Sequence, residues 1–183
     1  MEFPRHLKQT DPAFNETFKI KNANEPLIQA FNQKPHSLAE IRALLTQITG
    51  KEIPASTEIS IPFETDFGKN ITIGKECFIN KNAMFDDLGG ISIGDRCLIG
   101  PNATLVTINH VRAVNKRWDL HLGAIHIESD VWLGANVTVL PGVTIGKGAI
   151  IGANSLVNKD IPPRTLAVGS PAKVIKQVEP DAD

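Results

Sequence analysis

From Ile127 onward the chain places an aliphatic residue at every sixth position. It reads IESDVW, LGANVT, VLPGVT, IGKGAI, IGANSL, VNKDIP, with Ile, Leu or Val at 127, 133, 139, 145, 151 and 157. Four positions after each aliphatic residue stands Val, Ala, Ser or Ile. Positions six apart do not share one face of an α-helix, so a helical reading fails. In a strand, side chains alternate: within Val131-Trp132-Leu133 the outer two point inward and Trp132 points outward. Gly134 follows, where the chain must turn and a side chain would be awkward. Three such short strands make one triangular coil. Stacked coils pair their backbones about 4.8 Å apart. A hexad repeat sustained in this way predicts a mainly β chain folded as a parallel β-helix.

The same beat runs upstream. IPFETD, FGKNIT, IGKECF and INKNAM follow from Ile61, and IGDRCL, IGPNAT and LVTINH from Ile93. With the weaker ASTEIS at Ala55, about five coils are expected. The block at 61, 67, 73, 79 and 85 shares its phase with the block from 127. The block at 93, 99 and 105 is displaced by two residues, a shift assigned to Asp86–Gly90. The hexads stop after His110. Residues 111–126 show none and are expected to form an external loop. Two plus sixteen residues is one coil, so the chain returns in phase. His110 fills the last slot before the break and is expected to point outward from the coil.

The ends depart from this pattern. Residues 24–50 look helical: Ser37-Leu-Ala-Glu40 is a capping box, Ile41, Leu44, Leu45 and Ile48 follow at helical spacing, and Gly50 closes the segment. A shorter helix is expected around Leu27–Phe31. These helices should cover an open sheet edge that would otherwise invite association. At the far end Pro162 and Pro163 remove backbone donors and end strand pairing. The expected organisation is a helical segment at 1–52, a β-helix at 53–162 and a tail at 163–183.

Composition narrows the function classes. Nineteen basic residues against twenty acidic ones give a net charge of −1, without the basic excess of general nucleic-acid binders. No apolar run reaches the roughly 18 residues of a membrane span. The first residues lack the apolar core of a signal peptide, so the expected location is cytoplasmic. Cys77 and Cys97 occupy the same inward slot in successive coils and read as reduced core thiols.

The segments NITIGKECFINKNAMFDD, INH and the long run from VWLGANV to GSPAKVIKQ closely resemble the hexapeptide-repeat acetyltransferases of the maltose and galactoside O-acetyltransferase group. The match spans roughly residues 60–178, and Asn109-His110, Val-Trp-Leu-Gly, Asn-Lys-Asp-Ile-Pro-Pro and Gly-Ser-Pro-Ala-Lys-Val-Ile are its most specific parts. The resemblance implies a left-handed β-helix assembled as a homotrimer, with active sites between subunits. It implies transfer from acetyl-CoA, as co-substrate and without a metal, to a sugar or glycoside hydroxyl. A hydroxyl is a poor nucleophile until its proton is taken, and histidine suits that task near neutral pH. His110 matches the family's catalytic base. Asn80, Asp87 and Trp132 match positions lining the acceptor cleft. The Ala135 N–H matches a donor near the thioester, and Ala153 a contact to the pantetheine arm. Asn158 and Lys159, with Lys173 and Lys176 of the tail, match the region that meets the CoA phosphates.

Some features differ from the relatives. Val111 stands where proline is usual and Glu128 where glycine is usual, and the loop carries Lys116, Arg117 and Trp118. In the N-terminal segment Asp11 and Lys21 are the candidates for acceptor contact. Three alternatives stay open: another acceptor such as an amino sugar or cell-surface saccharide, a non-catalytic β-helical scaffold, and a metal site. The last comes from His121 and His126, whose spacing of five resembles the metal histidines of β-helical carbonic anhydrases.

Overall fold

The computed structural model describes residues 3–179. The hexads form a three-faced parallel β-helix. Its first face stacks Ile71–Ile73, Ile91–Ile93, Ile125–Ile127 and Thr144–Ile145. The second stacks Glu58–Ile59, Phe78–Ile79, Leu98–Ile99, Trp132–Leu133, Ile150–Ile151 and Thr165–Val168. The third stacks Phe63–Thr65, Ala83–Asp86, Thr104–Val106, Thr138–Val139 and Leu156–Val157. The second face therefore carries six rungs among the described residues, one more than the expected five, and the last lies beyond 162.

Inward residues form one continuous core. Val131 and Leu133 are fully buried between Cys97 and Ile99 above and Ala149 and Ile151 below. Gly134 could not be replaced freely: a Cβ there would lie 2.7 Å from the Ala153 backbone nitrogen. The next turn position but one is held by Asn82, Asn102, Asn136 and Asn154, all at positive φ, a conformation asparagine tolerates better than most residues.

The register of the first coil differs from the expectation. The inward residues are Ile59 and Thr65, not Ile61 and Phe67, because Ile59 pairs with Ile79 and Thr65 with Phe85. A two-residue insertion lies at 66–70 as well as at 86–90. Paired residues in these coils are therefore 20 apart, against 18 for Leu133 and Ile151. The long excursion, with Ile93 and Ile127 paired 34 apart, leaves from the same corner, between the third and first faces. All three insertions thus stack into one ridge.

The excursion is not an irregular loop at 111–126. It begins after Val106 and ends before Ile125, which is already paired with Ile91 in the coil. Between them Ile108–His110 pairs antiparallel with Leu120–Leu122, and His6–Leu7 adds a third strand to this ribbon. His110 therefore stands on a hairpin that has left the coil, not in the last slot of a hexad.

Helix α1 spans Pro12–Asn32 and α2 spans Leu38–Thr49. The first is far longer than the expected short helix around 27–31. Its start is marked by Pro12 in the first turn after Asp11, a position where proline's missing N–H costs nothing. The second has the expected capping box between Ser37 and Glu40, and Gly50 closes it at φ +71. Ile41, Leu45 and Ile48 extend the core over the first coil. At the other end Lys173–Gln177 folds back antiparallel onto Thr165–Val168. Among the described residues no helix is long and apolar enough to cross a membrane.

Candidate active site

The ridge, α1 and the hairpin enclose a cavity of about 460 Å³. Helical spacing puts Phe14, Thr17, Phe18 and Lys21 on one face of α1, and all four line it. Strand alternation sends Met84 and Asp86 outward from the third face, while Phe85 between them is fully buried. Val106 pairs with Asp86 one rung on. The hairpin contributes Ile108, His110, Trp118 and Leu120. A second hydrophobic cluster, including Leu7, Phe14, Phe67 and Leu120, holds these three elements together away from the main core.

His110 is exposed, and its Nδ1 lies 2.6 Å from the Arg117 carbonyl oxygen. A carbonyl can only accept, so Nδ1 carries the proton and donates it. The neutral ring then presents an unprotonated Nε2. The hairpin keeps Arg117 in place through Val111 N–H donating to the Asp119 carbonyl and Asp119 N–H donating to that of Lys116. The N-terminal strand braces the same hairpin: Gln9 N–H donates to Asp119 Oδ1 at 2.8 Å, and His6 Nε2 lies 3.9 Å from Asp119 Oδ2.

Two other charged groups in the cavity satisfy each other, as Lys21 donates to Asp66. Asp86 differs, because its Oδ1 is buried without a hydrogen-bond partner. Burial, with Asp66 and Asp87 close by, pushes its carboxyl up to about 7. Buried polar atoms without a partner and displaced carboxyl pKa values are features that concentrate at ligand sites.

Asp87, expected in the acceptor cleft, is fully buried and engaged in the fold. Its Oδ1 accepts from Thr65 Oγ1, Phe67 N–H and Gly68 N–H, and its Oδ2 from Asn70 N–H, which shapes the first insertion. The adjacent Asp86 takes the place on the cavity wall. Lys21 reaches the cavity, whereas Asp11 accepts from Lys8 N–H outside it. Asp66 and the aromatic face of α1 carry no motif in the sequence, and Asp86 stands one residue off the position that the resemblance marks; the spacing 14, 17, 18 and 21 after Asp11-Pro12 is the available signal.

The remaining candidates fall at two corners. Asn158 and Lys159 are exposed at the corner between the third and first faces, on the side of the His110 ridge. Asn80, Ala135 and Ala153 lie at the corner between the second and third faces, where Asn80 and Gly134 fill equivalent rungs. Trp132 projects from the second face beside Leu98, 51% and 49% exposed. Lys173 and Lys176 are exposed on the terminal strand, and Lys173 pairs with Val168 just past that corner. One chain does not bring the two groups together.

His121 and His126 also lie apart. The His121 ring lies against that of His6 in the hairpin ribbon, tilted by 32°, while His126 Nδ1 is 2.8 Å from Ser92 Oγ on the first face. Among the described residues no three His, Cys, Asp or Glu side chains are grouped to hold a metal ion.

Comparison with known proteins places this geometry. Residues 124–159 match the family described as bacterial transferase hexapeptide (six repeats), and residues 70–106 the hexapeptide repeat of succinyl-transferase. Galactoside O-acetyltransferase of Lactococcus lactis is 38% identical over 160 residues, covering 86% of this chain and 77% of the relative. The chain belongs to the hexapeptide-repeat acetyltransferases. Among solved structures, a maltose O-acetyltransferase from Clostridium difficile superposes with a TM-score of 0.87 at 32% identity, over 95% of this chain and 92% of that one. A hexapeptide-repeat acetyltransferase from Vibrio cholerae, in complex with acetyl-CoA, gives a TM-score of 0.85 at 37% identity, with 92% of each chain covered.

Proposed function

We propose that the protein transfers the acetyl group of acetyl-CoA directly to a hydroxyl of a sugar or glycoside, with His110 as general base. The observation that carries this reading is the His110–Arg117 hydrogen bond, which leaves Nε2 free to accept a proton at the cavity. The acetyl-CoA complex of the Vibrio relative supports the donor. The galactoside and maltose enzymes support a sugar as acceptor.

In this mechanism Nε2 takes the acceptor's hydroxyl proton as the oxygen attacks the thioester carbonyl. The negative charge that develops on the carbonyl oxygen needs a fixed donor. The Ala135 N–H suits this role, since it donates to no group among the described residues. The intermediate collapses with loss of the CoA thiolate, and the proton held by His110 passes to sulfur. The products are the acetyl ester and free CoA, and His110 returns to its starting form.

The two corner groups support a homotrimer in which the His110 ridge of one subunit faces the Trp132 and Ala135 side of the next. The pantetheine arm then runs past Ala135 and Ala153 toward Lys173 and Lys176, and Asn158 and Lys159 meet it from the ridge side. Lysines would engage the phosphates as point charges. An acceptor screen with acetyl-CoA and thiol detection tests the reading, with released CoA expected for at least one sugar or glycoside. A scaffold would show neither turnover nor thermal stabilisation by millimolar CoA, whereas a native-state ligand raises apparent stability.

A further inference from the structure

A second cavity, of about 640 Å³, lies on the other side of the ridge, where the returning hairpin meets the first face. Leu88 borders both cavities. Three basic side chains reach the second one from separate elements: Arg5 ahead of the N-terminal strand, Lys51 just after α2 and His126 on the first face. No Asp or Glu stands among its described lining residues, although the chain carries 20 acidic residues against 19 basic ones. Elsewhere cations are matched, Lys21 with Asp66 and Arg96 with Asp130. Here Lys51 Nζ meets only a neutral partner among the described residues, Thr72 Oγ1 at 2.9 Å, and the Arg5 guanidinium meets none. The nearby carboxylate of Asp87 is fully buried and already accepts four hydrogen bonds. Two backbone N–H groups of the lining, those of Ala124 and Gly142, donate to no group among the described residues. Single surface cations are ordinarily just solvated. Three that converge on one concave wall without a carboxylate repel one another and attract an anion.

We infer that this cavity binds a phosphate monoester. Its dianionic phosphate meets Arg5, Lys51 and His126, and its organic body lies against Phe3, Leu88 and Leu122. Arginine's planar fork fits phosphate oxygens in pairs, and lysine adds a point charge. The volume is larger than a bare phosphate ion needs, and the apolar wall gives the remaining space a use. The site is separate from the acetyl-transfer centre and does not depend on that reading: His110, Lys159, Lys173 and Lys176 line none of it.

The test is calorimetric titration of the full chain at low ionic strength with inorganic phosphate, phenyl phosphate, phenyl sulfate and phenol. One phenyl phosphate per chain is expected, bound more tightly than inorganic phosphate or the singly charged phenyl sulfate, with phenol silent. Arg5→Gln with Lys51→Gln should weaken phenyl phosphate on the order of tenfold or more. Both side chains are exposed, so the double variant should melt like the wild type in chloride. Its KM for acetyl-CoA should not change, and saturating CoA should leave phenyl phosphate binding intact. No heat at millimolar phenyl phosphate, or equal affinity in the double variant, would overturn the site. Displacement by CoA would also overturn it, by giving these cations to the donor's own phosphates. Equal affinity for phenyl phosphate and inorganic phosphate would overturn the organic body.

Discussion

His110 and Arg117 are joined by a 2.6 Å hydrogen bond from a ring nitrogen to a backbone carbonyl. The bond spans the base of a hairpin, so the tautomer of the proposed base depends on the shape of an element outside the coil. That shape is braced by Asp119, which ties the hairpin to the N-terminal strand. Asp119→Ala should therefore lower kcat on the order of tenfold, as expected for imprecise placement of a catalytic group. KM for acetyl-CoA should change little, because none of the CoA candidates is on the hairpin that Asp119 braces. Nitrogen chemical shifts of the His110 ring would report the accompanying loss of the Nδ1–H tautomer.

Asp87 makes a different prediction from its neighbour. Replacing it by Ala leaves the Phe67 and Gly68 N–H groups and the Thr65 hydroxyl without this acceptor. Unsatisfied buried donors cost about 1–3 kcal/mol each before relaxation. Urea unfolding of Asp87→Ala should show a loss of at least about 2 kcal/mol. A loss of activity in that variant should follow its loss of folded protein.

Asp86 should reveal itself in the pH dependence of stability. Its carboxyl moves from an ordinary 3.8 to about 7 in the fold. The folded state thus holds a proton that the unfolded chain releases. The stability tied to this group is fully present below about pH 4 and is lost as pH rises through about 7. Asp86→Asn removes that loss, so its melting temperature at pH 8 should exceed that of the wild type. The upper bound of the gain is on the order of 4 kcal/mol. Melting curves from pH 4 to pH 8 would measure it, and turnover should fall in the same variant if Asp86 meets the acceptor.

Trp132 projects from the second face and supports no core contact of its own coil. Trp132→Ala should leave the circular dichroism spectrum unchanged. In the homotrimer proposed above it should weaken subunit association, CoA binding or both, seen as a lower mass in sedimentation or a several-fold higher Kd for CoA in calorimetry.

Much of this was legible in the sequence because the hexad is enforced by geometry. Cys77 over Cys97 and Val131 with Leu133 follow from strand alternation, and the second helix follows from its capping box and Gly50. The failures share a cause. Ile61 is as apolar as the true inward residue Ile59, and Phe67 is more apolar than the true inward residue Thr65, so a two-residue insertion at 66–70 is invisible to a hydrophobic count. Phe67 is buried, but in the second cluster beneath α1. The hairpin was missed for a related reason: Leu120, Leu122 and Ile108 bury themselves against that cluster, with no hexad to mark them. Asp86 and Asp87 are adjacent, so the choice between cavity and corner depends on strand phase alone. His110 was found through its family motif, whereas its hydrogen bond to Arg117 depends on a turn with no sequence signature.

The central claim is that His110 removes the acceptor's proton, and single-turnover acetylation by His110→Ala tests it most directly. With acetyl-CoA and an acceptor turned over by the wild type, the rate of acetyl ester formation should fall by about 10²-fold or more. CoA should still stabilise the variant against heat. A rate equal to that of the wild type would contradict the account.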